Sequence, residues 1–182
     1  MTTTKRWLMA AVIVLTRLAW APDAAYPEPV TVPEPADLAV RSTDLALVAL
    51  IAQAGRESPT FRGMTETIRA GKGIVYVQPG RCGHGVRSCL ANVVDAGERR
   101  ILWVKVDTNK QERDLMGSIG HELRHAIEVL GDPAVRSNIA MFHFYMRQSV
   151  ASAGGAFETQ AAVVAGDAVR SEIGRYRKHR TP

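Results

Sequence analysis

The sequence predicts an α+β fold, because helical and strand-like stretches occupy different parts of the chain. Two stretches with apolar residues at helical spacing come first, three short β-like stretches follow between residues 74 and 107, and the remainder is helical. The 182 residues are 46% hydrophobic and 23% charged, which is the composition of one globular domain. These values exclude a wholly disordered chain, a collagen-like repeat and a polytopic membrane protein.

Residues 1–25 are predicted to be an export signal or an uncleaved anchor. Lys5-Arg6 precedes the apolar run Trp7–Leu15, and small residues follow. The run is too short to cross a bilayer, which takes about 20 helical residues. Ala19-Trp20-Ala21 fits a cleavage site, but Pro22 follows it, so Ala24-Ala25 is a second candidate. We expect a secreted or periplasmic protein, without stable membrane insertion unless the signal is retained.

The net charge of +5 is concentrated at the two ends of the chain. Residues Met1–Ala21 contribute +3 and residues Arg175–Pro182 contribute +4, so the residues between them carry −2. Residues 175–182 are predicted to be a basic tail with its cations in solvent at a helix C-terminus. Contact of this tail with anionic lipid or nucleic acid is the alternative. We expect no nucleic-acid partner, because the body of the protein is slightly acidic.

A proline-rich linker and two helices are predicted before the strands. Tyr26–Pro35 has four prolines in ten residues, which favours an extended linker over residues 26–37. The stretch Ala36–Ala54 has apolar residues at helical spacing, with a predicted helix start near Ser42-Thr43-Asp44. A second, shorter helix is predicted over Ser58–Ala70, because Phe61, Met64 and Ile68 share one side.

The middle of the chain is predicted to form strands. Ile74–Val77 is β-branched and aromatic, and Pro79-Gly80 ends it. Leu90–Val94 and Ile101–Asp107 flank a hairpin connection at Asp95–Glu98. Ile101–Asp107 has the strongest strand pattern in the chain.

Cys82 and Cys89 flank a short loop that contains glycine, and we expect them to form a disulfide in an oxidising compartment. Metal binding by both cysteines with His84 is an alternative, although this spacing is not a known ligand pattern. Free buried thiols are the remaining alternative.

A long helix is predicted between Asn109 and Gly131. Asn109 is a suitable N-cap, Glu112 completes a capping-box-like pair, and Gly131 is a favourable residue to end the helix. One apolar stripe at helical spacing supports the helix and comprises Leu115, Met116, Ile119, Leu123, Ala126, Ile127 and Leu130.

This helix contains the motif His-Glu-x-x-His, formed by His121, Glu122 and His125. Residues four apart lie about 40° apart around the helix and about 6 Å apart along it. Two imidazoles at this spacing can both reach one Zn²⁺ at about 2.0–2.1 Å. Zinc lowers the pKa of its bound water to about 7. Glu122 is the predicted general base, which takes a proton from that water and passes it to the leaving group.

The motif, in a helix that directly follows a strong strand, resembles the active-site helix of the zincin metallopeptidases. The resemblance covers roughly Ile74 to Ile173, and only the His-Glu-x-x-His motif is a specific match. It implies a zincin-like catalytic domain at residues 38–174 that hydrolyses a peptide or protein substrate. It also implies that Ile101–Asp107 is the edge strand that aligns the substrate backbone.

The third zinc ligand implied by the resemblance is Glu158, as in the gluzincin subclass. The metzincin extension is absent, because its glycine and histidine positions hold Glu128 and Gly131. Glu158 lies near the start of a helix predicted from Ala156 to about Ile173. The residues expected to pack that helix inward are Phe157, Ala161, Val164, Ala165, Ala168 and Val169, with Ala161 and Ala162 permitting close approach.

Two features leave this assignment open. The better-known gluzincins have Asn before the Glu and an acid four residues after it, where this chain has Phe157 and Ala162. Glu128 is a rival ligand or an outer contact to His125, and His143 is a second rival ligand. Nothing in the sequence selects an oxyanion-stabilising partner among Tyr145, His143 and Tyr176.

The sequence therefore predicts an exported zinc metallopeptidase with His121, His125 and Glu158 as ligands and Glu122 as general base. A non-catalytic zinc-binding envelope protein on the same scaffold is the alternative. A helical interaction protein without metal is a third possibility. Substrate preference and oligomeric state are not predicted.

Overall fold

A computed structural model describes residues 38–83, 86–148, 150–151 and 157–180, which form an α+β fold. The predicted signal, the predicted linker and His84 lie outside the described residues. The elements are β1 (Val40–Arg41), α1 (Leu45–Glu57), α2 (Pro59–Ala70), β2 (Gly73–Pro79), β3 (Ser88–Ala96), β4 (Arg99–Val106), α3 (Glu112–Gly131), α4 (Asn138–Gln148), β5 (Val150–Ala151), β6 (Phe157–Glu158) and α5 (Gln160–Arg180).

The first two helices are confirmed, and side chains cap both of them. The Asp44 carboxylate accepts a hydrogen bond from the Leu47 N–H at 3.0 Å, and the Ser58 hydroxyl accepts one from the Phe61 N–H at 3.0 Å. Ser58 is buried and donates to Glu172 of α5, which also accepts from Thr60. The start of α2 is thus anchored to a distant helix.

Four strands form a sheet in the order β1-β2-β4-β3, in which β3 alone is antiparallel to its neighbour. The expectation that Ile101–Asp107 is an edge strand is wrong. The chain places β4 beside β2, and the hairpin turn then puts β3 outside β4. The edge strand on this side of the sheet is therefore β3, and β4 is interior. Alternate residues of β2 and β4 face the core, namely Val75, Val77, Leu102, Val104 and Val106.

The long helix α3 is confirmed, but its predicted caps are wrong. It begins at Glu112, with Gln111 at the N-cap position and no side-chain cap hydrogen bond. The Asn109 N–H instead donates to the Asp107 side chain at 3.0 Å, which makes these residues a turn before the helix. Gly131 is the last helical residue rather than the residue beyond the end.

The C-terminal end of α3 is held by Arg100 of β4, which is 8% exposed. Its guanidinium donates to the carbonyls of Val129, Asp132 and Val135 at 2.9, 2.7 and 3.0 Å, and also to that of Leu130. Carbonyls at a helix end lack intrahelical donors. One buried side chain therefore satisfies several acceptors and ties the helix to the sheet.

The last helix differs from its predicted bounds and face. α5 begins at Gln160 and continues to Arg180, so most of the predicted basic tail is helical. Its cations lie at a helix C-terminus as expected, and Arg177 pairs with Glu57 and Glu112. The buried residues are Ala162, Ala165, Gly166, Val169 and Ile173, whereas Ala161 and Val164 are exposed.

Glycines set this face, because they bring α5 against α3. A Cβ at Gly166 would lie 3.0 Å from the Gly117 carbonyl oxygen and 3.1 Å from the His121 Cβ. A Cβ at Gly117 would lie 2.3 Å from the Arg170 Cγ. The two helices therefore approach closely where His121 projects.

The predicted disulfide between Cys82 and Cys89 is confirmed, with a Cα–Cα separation of 6.1 Å. It closes the loop that leads into β3. Among the described helices, none combines the length and the apolar character that a membrane span requires.

Candidate metal centre

Three potential metal ligands from two elements meet at one point. His121 and His125 lie one turn apart on α3, and Glu158 comes from β6, just before α5. The Glu158 Oε1 lies 3.2 Å from the His121 Nε2 and 3.6 Å from the His125 Nε2. One ligand atom from each residue lies within 4.8 Å of the other two. The three residues predicted from the sequence as ligands are therefore brought together.

The spacing and chemistry of these atoms fit a tetrahedral zinc site. Ligands at about 2.0–2.1 Å from zinc in tetrahedral geometry lie about 3.3 Å from one another, close to both imidazole–carboxylate separations. Two imidazoles with one carboxylate is also a ligand set of catalytic zinc, which leaves a fourth position open. Imidazole also suits copper, iron and nickel. The donor set therefore fits zinc and is shared with these other metals.

Glu158 reaches the histidines from a short strand rather than from the predicted helix start. The pairing of β5 with β6 places Glu158 opposite Val150, and the Phe157 ring stacks on Tyr145 with centroids 5.9 Å apart. Thr159 then caps the start of α5, because its hydroxyl accepts from the Ala162 N–H at 3.2 Å. The ring contact of Phe157 and the capping hydrogen bond of Thr159 therefore hold the two residues that flank Glu158.

Glu128 contacts His125 from the side opposite to Glu158. Its carboxylate is 3.0 Å from the His125 Nδ1, whereas Glu158 faces Nε2. Glu128 also accepts from the Thr159 hydroxyl at 2.8 Å and lies 3.5 Å from the Arg124 Nε. Glu128 is therefore an outer contact of His125. It does not lie with Glu158 at the Nε2 side of the ring, where the candidate ligands meet. Such contacts fix the tautomer and orientation of a metal-binding histidine.

The other rival residues lie outside the cluster. His143 is exposed on α4, with its ring beside Phe142 at 5.7 Å between centroids. The Tyr145 hydroxyl donates to the His125 backbone carbonyl at 3.0 Å, and burial raises the pKa of that tyrosine. Tyr176 lies beside Arg180 near the far end of α5. Of the three oxyanion candidates, only Tyr145 contacts a residue of the cluster.

Glu122 lies beside the edge strand β3 and is only 2% exposed. Burial raises its pKa to about 7, against the opposing effects of the His125 charge and of hydrogen bonds from Ser88 and the Leu90 backbone. The helix thus directs the two histidines toward Glu158 and the intervening carboxyl toward the sheet.

The two histidines have opposite electrostatic settings. Burial lowers the pKa of His121, and the neighbouring His125 lowers it further. Burial also opposes protonation of His125, but its hydrogen bonds to the Glu128 and Glu158 carboxylates outweigh burial and raise its pKa to about 9. Three carboxyl groups, those of Glu122, Glu128 and Glu158, thus act on the His125 ring, and this arrangement favours binding of a cation.

Sequence reasoning did not find three contacts that hold this centre: the Thr159–Glu128 bond, the Ser88 contact with Glu122 and the Tyr145 bond to the His125 carbonyl. Helical spacing pointed to Glu128, because it lies three residues after His125. No local pattern marks the other contacts, which join residues far apart in the chain.

The sequence matches no protein-family model, and neither curated proteins nor solved structures contain a significant match.

Proposed function

We propose that the protein is a zincin-like, zinc-dependent hydrolase of peptide bonds. His121, His125 and Glu158 would hold the metal. Glu122 would act as the general base. The observation that carries the proposal is the convergence of the three ligand atoms, with the Glu158 oxygen 3.2 and 3.6 Å from the two imidazole nitrogens and the acid of the same motif buried on the same helix.

When bound in such a site, zinc acts as a Lewis acid and makes water a competent nucleophile near neutral pH. The residues of the chain supply the rest. Glu128 holds the His125 ring through Nδ1. Glu122 is held against β3 by Ser88 and the Leu90 backbone, and there it would accept a proton and return it to the leaving amine.

The edge position of β3 supports alignment of a peptide beside the centre, because a free strand edge can pair with an extended chain. Part of this edge is already used. The Val93 N–H donates to the Asn138 side chain at 2.8 Å, and the Leu90 N–H is directed to Glu122. A bound peptide would therefore pair with other backbone groups of β3.

The disulfide supports the related proposal that the protein is exported, because disulfides persist in oxidising compartments. The charged and apolar pattern of residues 1–25 supports it independently.

Metal analysis of the purified protein is the first test. We expect one zinc per chain in the wild type and a large loss of zinc in His121→Ala. His143→Ala is the matched control, because this exposed histidine of α4 lies outside the cluster. Loss of zinc from both variants, or from neither, would contradict the assigned ligands.

Glu122→Gln separates catalysis from metal binding. This variant keeps the size of the side chain, and we expect it to retain zinc while losing hydrolysis of a broad peptide library by at least about 100-fold. Unchanged hydrolysis would reject Glu122 as the base. The alternative function, a non-catalytic zinc-binding module, is favoured by the near-complete burial of Glu122, and it predicts bound zinc with no hydrolysis in the wild type.

A further inference from the structure

A cationic cavity of about 380 Å³ lies beside the N-terminal half of α3. Its basic residues come from three separate parts of the chain: Arg87 precedes β3, Lys110 precedes α3 and Arg170 belongs to α5. Ser118 of α3 also lines the cavity, and Asp114 is its one acidic lining residue. The fold therefore brings together three cations that the sequence keeps apart.

Two of these cations have no carboxylate partner among the described residues. No Asp or Glu oxygen of the described chain lies within 4.0 Å of the Lys110 Nζ or of the Arg87 guanidinium, whereas Arg170 pairs with Asp167 at 2.6 Å. The Lys110 ammonium donates instead to the buried Ser118 hydroxyl at 2.7 Å. Partial burial lowers the pKa of Lys110 and the charges of Arg87 and Arg170 lower it further, against smaller opposing effects of Asp107 and Glu122. A partly buried ammonium next to two like charges is stabilised by an anion.

Arg170 connects this cavity to the metal centre. Its side chain lies across Gly117, one turn before His121. The point where Gly166 lacks a Cβ is 3.1 Å from the His121 Cβ and 3.6 Å from the Arg170 Nη1. The Arg170 guanidinium and the His121 side chain thus border the same small region between α3 and α5. Arg170 therefore lines the cavity and also borders the first histidine of the motif.

We infer that this cavity binds a carboxylate of the peptide substrate, and we name it the carboxylate pocket. That the bound carboxylate belongs to a substrate rests on the proposed function. Binding of a carboxylate in the pocket does not depend on the metal. A guanidinium offers a planar fork of donors to two carboxylate oxygens, and an ammonium adds a point charge. The carboxylate has two possible sources, which are the C-terminus of a short peptide and an Asp or Glu side chain near the cleaved bond.

Binding to chelator-treated protein tests the pocket without hydrolysis and without a metal that could itself capture a carboxylate. Isothermal titration is carried out with acetyl-Ala-Ala-Ala as the free acid, with its C-terminal amide, and with acetyl-Ala-Asp-Ala amide. We expect the free acid, the Asp peptide or both to bind at least about tenfold more tightly than the uncharged amide. Tight binding of the free acid alone assigns the C-terminal source, and tight binding of the Asp peptide alone assigns the side-chain source. Equal affinity for all three peptides overturns the inference.

Variants place the binding site. Arg87→Gln and Lys110→Gln should each weaken the preferred carboxylate peptide by about tenfold, in line with the loss of one charge-assisted hydrogen bond. Lys178→Gln is the matched control, because it removes an exposed cation near the distal end of α5. Circular dichroism confirms that each variant is folded. Equal weakening by the control, or no weakening by the two pocket variants, overturns the inference.

Hydrolysis assays separate failure of the pocket from failure of the proposed function. If the carboxylate peptide binds the pocket but the zinc-loaded protein cleaves no peptide, the proposed function fails and the pocket stands. If peptides are cleaved but acid and amide forms bind and react equally, the pocket fails and the proposed function stands.

Discussion

Substitution of Gly166 by alanine tests whether the contact between α3 and α5 sets the metal centre. The new Cβ would lie 3.0 Å from the Gly117 carbonyl oxygen and 3.1 Å from the His121 Cβ. Both atoms are held by the backbone of α3, so neither can move aside by rotating a side chain. The two helices must therefore separate by a few tenths of an ångström at the level of His121.

Two opposing effects decide the change in stability. Alanine is favoured over glycine in a helix by roughly 0.5–1 kcal/mol. Overpacking a close contact costs roughly 1–3 kcal/mol. Because the contact atoms belong to a packed helix backbone, we expect the second effect to win and the free energy of unfolding to fall by about 1–2 kcal/mol.

The same displacement should weaken metal binding. Zinc–ligand distances are held to within about 0.2 Å of their standard values. A shift of His121 relative to Glu158 exceeds this tolerance, and we expect zinc affinity to fall by about tenfold, measured by competition with a chelating dye. Urea unfolding of the metal-free protein measures the stability term separately.

Gly63→Ala is the matched control for this experiment. Gly63 lies within α2, and apart from its chain neighbours and the backbone of its own helix, no atom of the described residues lies within 4 Å of the position where its Cβ would be. This variant should gain about 0.5–1 kcal/mol in stability and keep the zinc affinity of the wild type. If Gly166→Ala shows the same gain and unchanged affinity, the helix contact does not control the centre and the reasoning fails.

Three further substitutions test the contacts around the centre and the core. Glu128→Gln weakens the outer contact to His125, and we expect zinc affinity by dye competition to fall about tenfold with an unchanged circular dichroism spectrum. Although burial opposes it, hydrogen bonding from the start of α2 lowers the pKa of Glu172 below its usual 4.5. The stability lost in Glu172→Gln, measured by urea unfolding, should therefore be full at pH 7 and shrink as the pH falls below about 4.5 toward the folded-state pKa; a difference that is constant with pH would contradict this. Arg100→Met leaves carbonyls at the end of α3 without their donor, so the free energy of unfolding should fall by about 1–3 kcal/mol, and an unchanged urea midpoint would reject the capping role.

The order and type of most elements were predictable from local patterns. Apolar residues repeat at the helical period of 3.6 in α1, α2 and α3, and β2 and β4 have the alternating pattern of strands. β1 was not, since two residues of strand carry no period. The interior position of β4 was not predictable either. The interior position of β4 depends on its parallel pairing with β2. The residues of β4 do not indicate which strands will lie beside it.

The candidate site was predictable to the extent that helix geometry determines it. His121 and His125 face the same point because they are four residues apart on a helix. Glu158 was anticipated, but the helix start around it was wrong, because the β5–β6 pairing holds the chain extended as far as Glu158. The inward face of α5 was also wrong. Counting apolar residues does not reveal that Gly166, which contributes no side chain, marks the contact with α3.

The charges around α3 are divided along its length, and this division connects the two proposals. Toward the C-terminal half, Glu122, Glu128 and Glu158 surround the histidines and favour a cation. Toward the N-terminal half, Lys110 and Arg170 face the carboxylate pocket and favour an anion. A peptide whose scissile carbonyl approaches the metal centre while its carboxylate enters the pocket would meet a complementary charge at each end. The net charge of the protein does not reveal this pattern, because the excess of cations in the sequence lies at the chain ends; the fold creates it by bringing Arg170 of α5 beside Gly117 of α3.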